Sequence, residues 1–438
     1  MSVRKPQILK GFRDYTPDQM RLRVQVIAIF REVFERHGFE PLDTPALEYL
    51  ETLTGQAGEN EKLMYHFHDQ GDREVGLRYD LTVPLARYFA MHQQASVLPF
   101  KRYHIAPVWR AEKPQRGRFR EFWQCDADIV GTPSMLADAE AVSVLTEALD
   151  AVNLNGAVVS INHRKLLEAM ARLAGVPESH APTVFRAVDK LDKIGSDGVK
   201  RELIATGVHD AAAARVVELV TRAGTSGELL DAAAADLEGV TGGDEAVADL
   251  RQLAVYLDDL QVRPGSWKID LSLARGIDYY TGPVFEARVE EPKVGSLAGA
   301  GRYDGLVGTF VGRPVPATGM SLGFERILEV IQEFDLLPQR PSVAAIFVAA
   351  FPDTLRENAR IAHELRLSGL NTDLSMLSNR GLGDQMKYAA RRGIPFAVIA
   401  GSGEVQRNVA LIRNLASGEQ REVEIASLAQ EAKLAISS

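Results

Sequence analysis

"KRYHIAPVWRAEKPQRGRFREFWQCDADIVG", residues Lys101–Gly131, decides how this chain is read. Its two ends have the texture of strands, and between them runs a long basic loop containing glycine and proline. Arg110, Lys113, Arg116, Arg118 and Arg120 place five cations within eleven residues. A solvated basic hairpin has that composition. So does a strand pair that holds a polyphosphate between Arg110 and Arg118 and offers its tip, Lys113-Pro114-Gln115-Arg116-Gly117, to nucleic acid. On the returning strand Gln124, Asp126 and Asp128 alternate, so all three point one way, towards solvent or onto a binding floor.

Working outward, Leu22, Val26, Ile29/Phe30 and Val33 recur at helical spacing and predict a helix over Pro17–His37, stopped by Gly38. "FEPLDTPALE" follows, and Pro41 and Pro45 keep it extended and out of the interior of a central ladder. "LMYHFHDQGDREVGLRYD" reads as a hairpin around Asp69-Gln70-Gly71-Asp72. Beyond the opening stretch, "MLADAEAVSVLTEALDAV" is a helix. From Leu166 to Asp259 alanine-rich helical segments dominate and aromatics are few; strand texture returns at Trp267. The pattern is a helical insertion inside an antiparallel α+β domain. After "LPQRPS" (Leu337–Ser342), strands and helices alternate, which predicts a small α/β domain with a largely parallel sheet.

The chain has 438 residues, enough for two or three domains. Its 46% hydrophobic and 25% charged content is that of an ordinary globular protein. A formal charge of −9 argues against a purely electrostatic nucleic-acid or membrane binder, while leaving room for a local basic surface. Cys125 is the single cysteine, so no intrachain disulfide forms, and a reducing compartment fits. The N-terminus has no apolar signal segment. The longest apolar run, Val343–Phe351, is nine residues, against the ~20 needed to span a bilayer. The reading is cytoplasmic, with no membrane partner.

Several chemistries are missing. There is no phosphate-binding G-x-x-x-x-G-K-S/T, no H-E-x-x-H and no C-x-x-C. His66 and His68 read as an ordinary hairpin strand, so no metal site is expected. What remains is arginines and carboxylates. In "LRYDLTVPLARY" (Leu77–Tyr88), Asp80 and Thr82 face the same side if the segment is a strand, and would suit a substrate ammonium; a turn or helix cap uses the same residues. In "RGIDYYTGPVFEAR" (Arg275–Arg288), Gly282–Arg288 alternates as a half-buried strand, and the head with Arg275, Asp278, Tyr279 and Tyr280 is a polar turn or a pocket wall. "GAGRYDGL" (Gly299–Leu306) sets Tyr303 in a glycine-rich turn. In "PATGMSLGFERILEVI" (Pro316–Ile331), a strand to Leu322 gives way to a helix from Phe324. Arg326 falls in its first turn, where the macrodipole disfavours a cation unless an anion is held there too; a surface arginine paired with a glutamate is the plainer reading.

Taken in order, these stretches resemble the histidyl-tRNA synthetases, a family of class II aminoacyl-tRNA synthetases, over nearly the whole chain. "GFRDYTP" resembles the N-terminal signature. The helix ending in "FEPLDTPALE" looks like motif 1, "VWRAEKPQRGRFREF" like motif 2 and "GMSLGFERI" like motif 3. "LARGIDYYTG" and "GRYDGL" resemble the two histidine-specific motifs, with Ala300 standing where the family pattern has a second glycine. "LRYDLTVP", "QCDADI" and "VDKLDKI" resemble the form of the enzyme common in eukaryotes.

The resemblance implies an α+β fold: a class II synthetase antiparallel sheet flanked by helices at 1–163 and 263–333, a helical insertion domain at 164–262 and a C-terminal α/β anticodon-binding domain at 342–438. It implies a homodimer that activates L-histidine with ATP, Mg2+ accompanying the ATP, and transfers the histidyl group to the 3′ end of tRNA(His). Asp80, Leu81, Thr82 and Gln124 would surround the α-amino group. Arg110 and Arg275 would be catalytic, contacting both histidine and the ATP α-phosphate. Asp128 and Tyr280 would bracket the imidazole, with Tyr279 and Tyr303 lining the pocket. Glu112 would meet the adenine amine, Phe122 would stack on the adenine, and Arg118 and Arg326 would hold the outer phosphates. Lys113 and Gln115 would approach the tRNA acceptor stem. Planar, always-ionised arginines suit charge that builds on a phosphate under carboxylate attack, and that step needs no general base. The rival is a non-catalytic paralogue, the regulatory subunit of ATP phosphoribosyltransferase, which shares the catalytic-domain fold, usually lacks the anticodon domain and loses catalytic arginines.

Overall fold

The computed structural model describes residues 5–54, 63–113, 119–274, 279–292 and 294–437. In chain order, helix α1 (Pro17–Arg36) leads to strands β1 (Glu40–Pro41) and β2 (Leu47–Tyr49), the short helix α2 (Leu50–Leu53), the hairpin β3 (His66–His68) and β4 (Glu74–Leu77), and α3 (Thr82–His92). The long pair β5 (Phe100–Trp109) and β6 (Glu121–Val130) follows, then α4 (Met135–Ala151) and β7 (Val158–His163). Six helices intervene: α5 (Arg164–Leu173), α6 (Ala181–Val188), α7 (Leu191–Ala205), α8 (Asp210–Val220), α9 (Ser226–Leu237) and α10 (Gly243–Asp259). Next come β8 (Trp267–Ile269), β9 (Pro283–Arg288), β10 (Ala298–Arg302), α11 (Asp304–Val311), β11 (Ala317–Gly323) and α12 (Phe324–Glu333). The last stretch is β12 (Ile346–Val348), α13 (Leu355–Leu367), β13 (Thr372–Leu374), α14 (Leu382–Arg391), β14 (Phe396–Ile399), α15 (Ser402–Gln406), β15 (Val409–Asn414), β16 (Gln420–Glu424) and α16 (Leu428–Ser437).

The chain divides into two units, Met1–Asp14 with Gln25–Leu337, and Tyr15–Val24 with Pro338–Ser438. The first is built on an eight-stranded sheet in the order β1-β5-β6-β11-β10-β9-β7-β8. All neighbours are antiparallel except β1–β5 and β7–β8. A separate antiparallel sheet, β2-β4-β3, carries His66 and His68 as exposed hairpin residues. Pro41 lies on the edge strand β1, where its missing N–H breaks no central ladder. Gly38, at φ +74°, ends α1 in the left-handed conformation that favours glycine.

Strand register explains why the large sheet has two unlike faces. Arg102 pairs with Asp128, and Asp128 with Gly319, which pairs with Gly301. Paired residues share a face and neighbours along a strand alternate. One face therefore collects Arg102, Asp126, Asp128 and Ser321 around Gly299, Gly301 and Gly319. The other carries Cys125, Ala127, Ile129, Met320, Leu322 and Ala300, all buried. Helices α4 and α12 pack onto the sheet, and Trp123 meets Phe324 of α12 with ring centroids 6.3 Å apart. The apolar face is the core, and the polar, glycine-rich face is left to hold something.

Two expectations change, and a choice left open between strand and helix cap is decided. Strand β9 is buried on both faces from Pro283 to Ala287, since it sits between β10 and β7 with cover on both sides, so it is a central strand and not a half-buried one. Gly299–Gly301 belong to β10, so Tyr303 ends a strand and does not sit within a glycine turn. Asp80 and Thr82 are not on a strand; Thr82 is the first residue of α3.

The second unit has a five-stranded sheet, β13-β12-β14-β15-β16. Strands β13, β12 and β14 are mutually parallel, with α13 and α14 as crossovers. The β14–β15 and β15–β16 pairs are antiparallel, so the sheet is parallel only in its first three strands. The last two form a hairpin, which needs no crossover helix.

Candidate active site

Asp128 is the centre of the polar face. Its Oδ1 accepts a hydrogen bond from the Tyr303 hydroxyl, and its Oδ2 lies 2.7 Å from Arg102 Nη2. It is almost wholly buried, and burial pushes its carboxyl above the ordinary range while Arg102 and the Tyr303 hydroxyl oppose the rise. The bond from Tyr303 crosses β11 at Gly319. A Cβ on that glycine would lie 2.0 Å from Asp128 Oδ1, so the carboxylate occupies the space a side chain would take. Gly301 does the same for the tyrosine wall: a Cβ there would lie 2.9 Å from the Tyr280 ring and 2.8 Å from the Pro283 carbonyl.

Three tyrosines converge beside this carboxylate. Tyr279 and Tyr280 have ring centroids 4.6 Å apart, and Tyr279 meets Tyr303 edge-on at 6.3 Å. The Tyr279 phenol is pushed well above its ordinary value by burial, and then by Tyr280 and Asp80. The Asp128 side of the pocket thus holds one carboxylate and neutral hydroxyls, which suits a planar ring that both donates and accepts.

The other side is built on the turn into α3. Asp80 Oδ1 accepts the Val83 N–H at 3.1 Å, as a helix-capping carboxylate does. Burial raises Asp80 to about 6, against the Val83 N–H, Arg110 and Arg102, which lower it. An incoming ammonium would favour the ionised form further. Arg110 Nε donates to the Tyr79 carbonyl at 3.0 Å, and its guanidinium lies 5.1 Å from the Phe122 ring centre. Gln124 Nε2 donates to Ser321 Oγ at 2.8 Å, which leaves its buried Oε1 without a hydrogen-bond partner among the described residues. A carboxylate, an amide oxygen and an arginine over an aromatic ring therefore follow one another along the face.

Other residues singled out by the sequence fall differently. The Leu81 side chain is fully buried with Ala106, Val108 and Phe122, so it supports the site through packing and its carbonyl. Glu112 is half-buried just after β5, its backbone carbonyl accepting from Arg120 Nε at 3.1 Å, and Lys113 is exposed beside it. Arg326 is in the first turn of α12, and its Nη1 donates to the Ser296 carbonyl at 2.7 Å. The neighbouring Glu325 pairs instead with Arg13 of "GFRDYTP", whose guanidinium also lies 3.5 Å from the Phe119 ring centre. Arg118, Gln115 and Arg275 lie outside the described residues. Among the described residues no group of three or more His, Cys, Asp or Glu side chains is arranged to hold a metal.

Sequence reading passed over Arg102 and Gly319. Arg102 lies outside the quoted motifs and Gly319 only opens "GMSLGFERI"; both matter because of what the register sets opposite them. Asp126 was noted only for its direction. Burial drives its carboxyl up to about 8, Arg102 lowers it, and Asp128 raises it, so at neutral pH it is largely protonated.

Comparison with known proteins fits this geometry. The family model for histidyl-tRNA synthetase matches residues 11–327, and that for an anticodon binding domain matches residues 345–433. The histidine–tRNA ligases of Rhodopirellula baltica and Aeropyrum pernix are each 42% identical over 96% of this chain, covering 95% and 96% of their own lengths. The crystal structure of histidyl-tRNA synthetase from Nostoc sp. PCC 7120 superposes with a TM-score of 0.89 at 32% identity, covering 98% of this chain and 99% of that one.

Proposed function

We propose, because the chain belongs to the histidyl-tRNA synthetase family, that it is an aminoacyl-tRNA ligase that activates L-histidine with ATP and transfers the histidyl group to the 3′ end of tRNA(His). The observation that carries this is the buried Asp128 carboxylate, held by Tyr303 over Gly319 and flanked by Tyr279 and Tyr280. Imidazole donates one N–H to Asp128 and accepts from Tyr280 with its other nitrogen. An apolar ring of similar size leaves these groups unpaired, at a cost of about 1–3 kcal/mol each, and is rejected on that ground.

Asp80, Thr82 and the Gln124 carbonyl oxygen take the substrate ammonium, which places the carboxylate towards Arg110. That carboxylate attacks the ATP α-phosphate and pyrophosphate leaves. Arg110, pinned to the Tyr79 carbonyl, meets the charge that gathers on the α-phosphate without having to reorganise. Arg275 shares this role and Arg118 and Arg326 take the outer phosphates; Phe122 and Glu112 receive the adenine. ATP enters as its Mg2+ complex, the metal forming part of the substrate. The 342–438 segment contacts the anticodon, and Lys113 and Gln115 approach the acceptor stem, while the 164–262 helices form a domain of their own. The anticodon-domain match is what disfavours the regulatory paralogue.

The same reading makes the protein a cytoplasmic homodimer. α1 and the Phe39–Glu48 segment resemble the family's dimer-forming motif, the 39%-identical rice relative is named a cytoplasmic histidine–tRNA ligase, and no described helix is long and apolar enough to cross a membrane. Sedimentation of the purified chain tests the dimer. The function is tested by pyrophosphate exchange into ATP, followed by charging of tRNA(His). Exchange that depends on histidine alone is expected; no exchange, or equal exchange with proline, overturns the assignment.

A further inference from the structure

Arg102 lies on β5 opposite Asp128 and has no exposed surface. Its Nη2 donates to the Leu81 carbonyl at 3.0 Å, and the same nitrogen lies 2.7 Å from Asp128 Oδ2. Leu81 is the residue between Asp80 and Thr82, the pair assigned to the substrate ammonium, and Asp128 is assigned to the imidazole. One nitrogen of a planar, rigid group thus ties the backbone at one end of the amino-acid site to the carboxylate at the other.

Its charge is shared in the same way. Asp80, Asp126 and Asp128 are all buried, burial raises the carboxyl of each, and Arg102 opposes the rise in every case. The groups that face Asp128 can be named by element. β5 supplies Arg102, with His104 next along the same face. Burial first, then Arg102 and Arg78, hold His104 down at about 3, so it is neutral at pH 7. Asp126 is on Asp128's own strand and largely protonated at pH 7. β11 offers only Gly319 at the paired position, and the end of β10 offers the Tyr303 hydroxyl. Of these groups Arg102 is the cation that opposes the rise of the Asp128 carboxyl.

We infer that Arg102 is a positioning residue for histidine selection: it sets the spacing between the ammonium and imidazole ends of the site and orients the Asp128 carboxyl, without touching substrate. This rests on the reading of Asp128 as the imidazole partner. Removing the charge lets burial drive the Asp128 carboxyl further up, which favours its protonated form and weakens its acceptance of the ring N–H. Raising the pH restores the ionised form. Replacing the fork by a single ammonium keeps the charge but loses the bridge to Leu81.

The test is pyrophosphate exchange by the full-length protein between pH 6.5 and 9. Histidine and ATP are varied in turn, and β-(2-thienyl)alanine serves as a ring isostere without nitrogen. Arg102→Met is expected to raise the KM for histidine about tenfold or more relative to the parent at pH 7, the scale of one pKa unit. That ratio shrinks as pH rises, the KM for ATP stays within about twofold, and the preference for histidine over the thienyl analogue falls with the histidine KM. Arg102→Lys raises the histidine KM by less and keeps the parent's pH profile. Made in an Asp126→Asn background, Arg102→Met is expected to show the same pH trend relative to that background; loss of the trend there would assign it to Asp126 and overturn the role of the Arg102 charge.

Asp128→Asn separates the two layers. If it leaves the histidine KM unchanged, Asp128 does not meet the imidazole and the underlying reading falls. If Asp128→Asn impairs histidine use while Arg102→Met behaves as the parent, only the positioning role is overturned. A joint rise in the KM for histidine and ATP, with a lower melting temperature and no pH trend, marks Arg102 as merely structural and also overturns it. Should Arg102→Met fail to fold, Arg102→Lys decides: a selective rise in the histidine KM supports the role, and an unchanged one overturns it.

Discussion

The Tyr303 hydroxyl donates to Asp128 from two strands away, the bond passing over Gly319 on the strand between them. A carboxylate oxygen oriented this way cannot turn to suit a different ligand. Tyr303→Phe removes the donor and leaves the ring. Hydrogen bonds to charged groups contribute about 1.5–3 kcal/mol, so the histidine KM should rise by roughly ten- to a hundredfold, with the ATP KM unchanged. Steady-state pyrophosphate exchange reads both.

Gly319→Ala puts a methyl group where Asp128 Oδ1 now lies, with the Ala127 carbonyl 2.9 Å away. The carboxylate must swing aside or the strand must shift. Such overpacking costs about 1–3 kcal/mol, visible as a lower urea midpoint. Histidine activation should fall more than this loss explains, because the displaced group is the one proposed to read the ring. A variant with parental histidine KM would show that Asp128 need not stay where it is.

Arg302 and Asp138 form an ion pair with almost no exposed surface beneath the tyrosine wall. Arg302 also donates to the Thr132 and Ser134 carbonyls at 3.1 Å each, and its own carbonyl receives the Thr281 N–H at 2.8 Å. Asp138→Ala leaves the buried Arg302 only Asp304, 3.4 Å from its Nη1, and breaking such a buried pair costs about 3–5 kcal/mol. Denaturant unfolding should show a loss of that size. Asp138→Leu combined with Arg302→Met should recover much of it.

Stability should also depend on pH through a cluster formed by His37 just after α1, Lys101 on β5 and Glu140 on α4. Glu140 contacts His37 Nδ1 at 3.3 Å and Lys101 Nζ at 2.8 Å. Burial would raise its carboxyl, but the hydrogen bonds from His37 and Lys101 outweigh this and hold it at about 2. The folded value is below the unfolded 4.5, so this contribution is present above pH 4.5 and lost as pH falls towards 2. His37 is raised above 6.5, chiefly by Glu140, so its contribution is present below 6.5 and lost as pH climbs past the folded value. Urea midpoints measured across this range should peak between the two limits, and Glu140→Gln should flatten both flanks. A Glu140→Gln curve parallel to the parent's would remove the cluster as the cause.

Much of this was legible in the residues. The Lys101–Gly131 hairpin, the alternating Gln124, Asp126 and Asp128, and the helix opening at Phe324 all follow from local periodicity, and the structure has them. For Asp80 and Thr82 the sequence leaves a strand and a helix cap open, because alternation over three residues cannot be told from the entry to a helix; the Val83 N–H, which donates to Asp80 Oδ1, decides for the cap. β9 looked half-buried because Glu286 and Arg288 alternate with apolar neighbours, yet its place between β10 and β7 buries Glu286. Arg102 was invisible for a different reason. It meets Asp128 only because β5 and β6 pair with residue numbers summing to 230, as in Arg102↔Asp128. A register two residues away would set it opposite Asp126, and the length of the basic loop alone does not choose. Ala300, the departure from the family pattern, proves harmless: it faces the helices, and the position that admits only glycine against the Tyr280 ring is Gly301.

The way β7 and β8 lie together has a consequence for the helices between them. They are adjacent and parallel, Val159 opposite Trp267, so the chain need only travel back along one short strand length to make the second after the first. A crossover of about a dozen residues does that, and α10, packed on α4 and β7, is already such a return path. The segment from α5 to α9 is then a detour whose two ends are moored to neighbouring strands. Its two ends are tied to the sheet, Arg164 N–H of α5 donating to the Gly282 carbonyl at 2.9 Å and Ser226 Oγ of α9 accepting the Ile269 N–H at 3.0 Å, so the part open to lengthening, shortening or exchange is α6 to α8. That makes α6 to α8 the natural graft site of this protein: replacing them should leave the sheet's edge closed and the proposed histidine pocket intact.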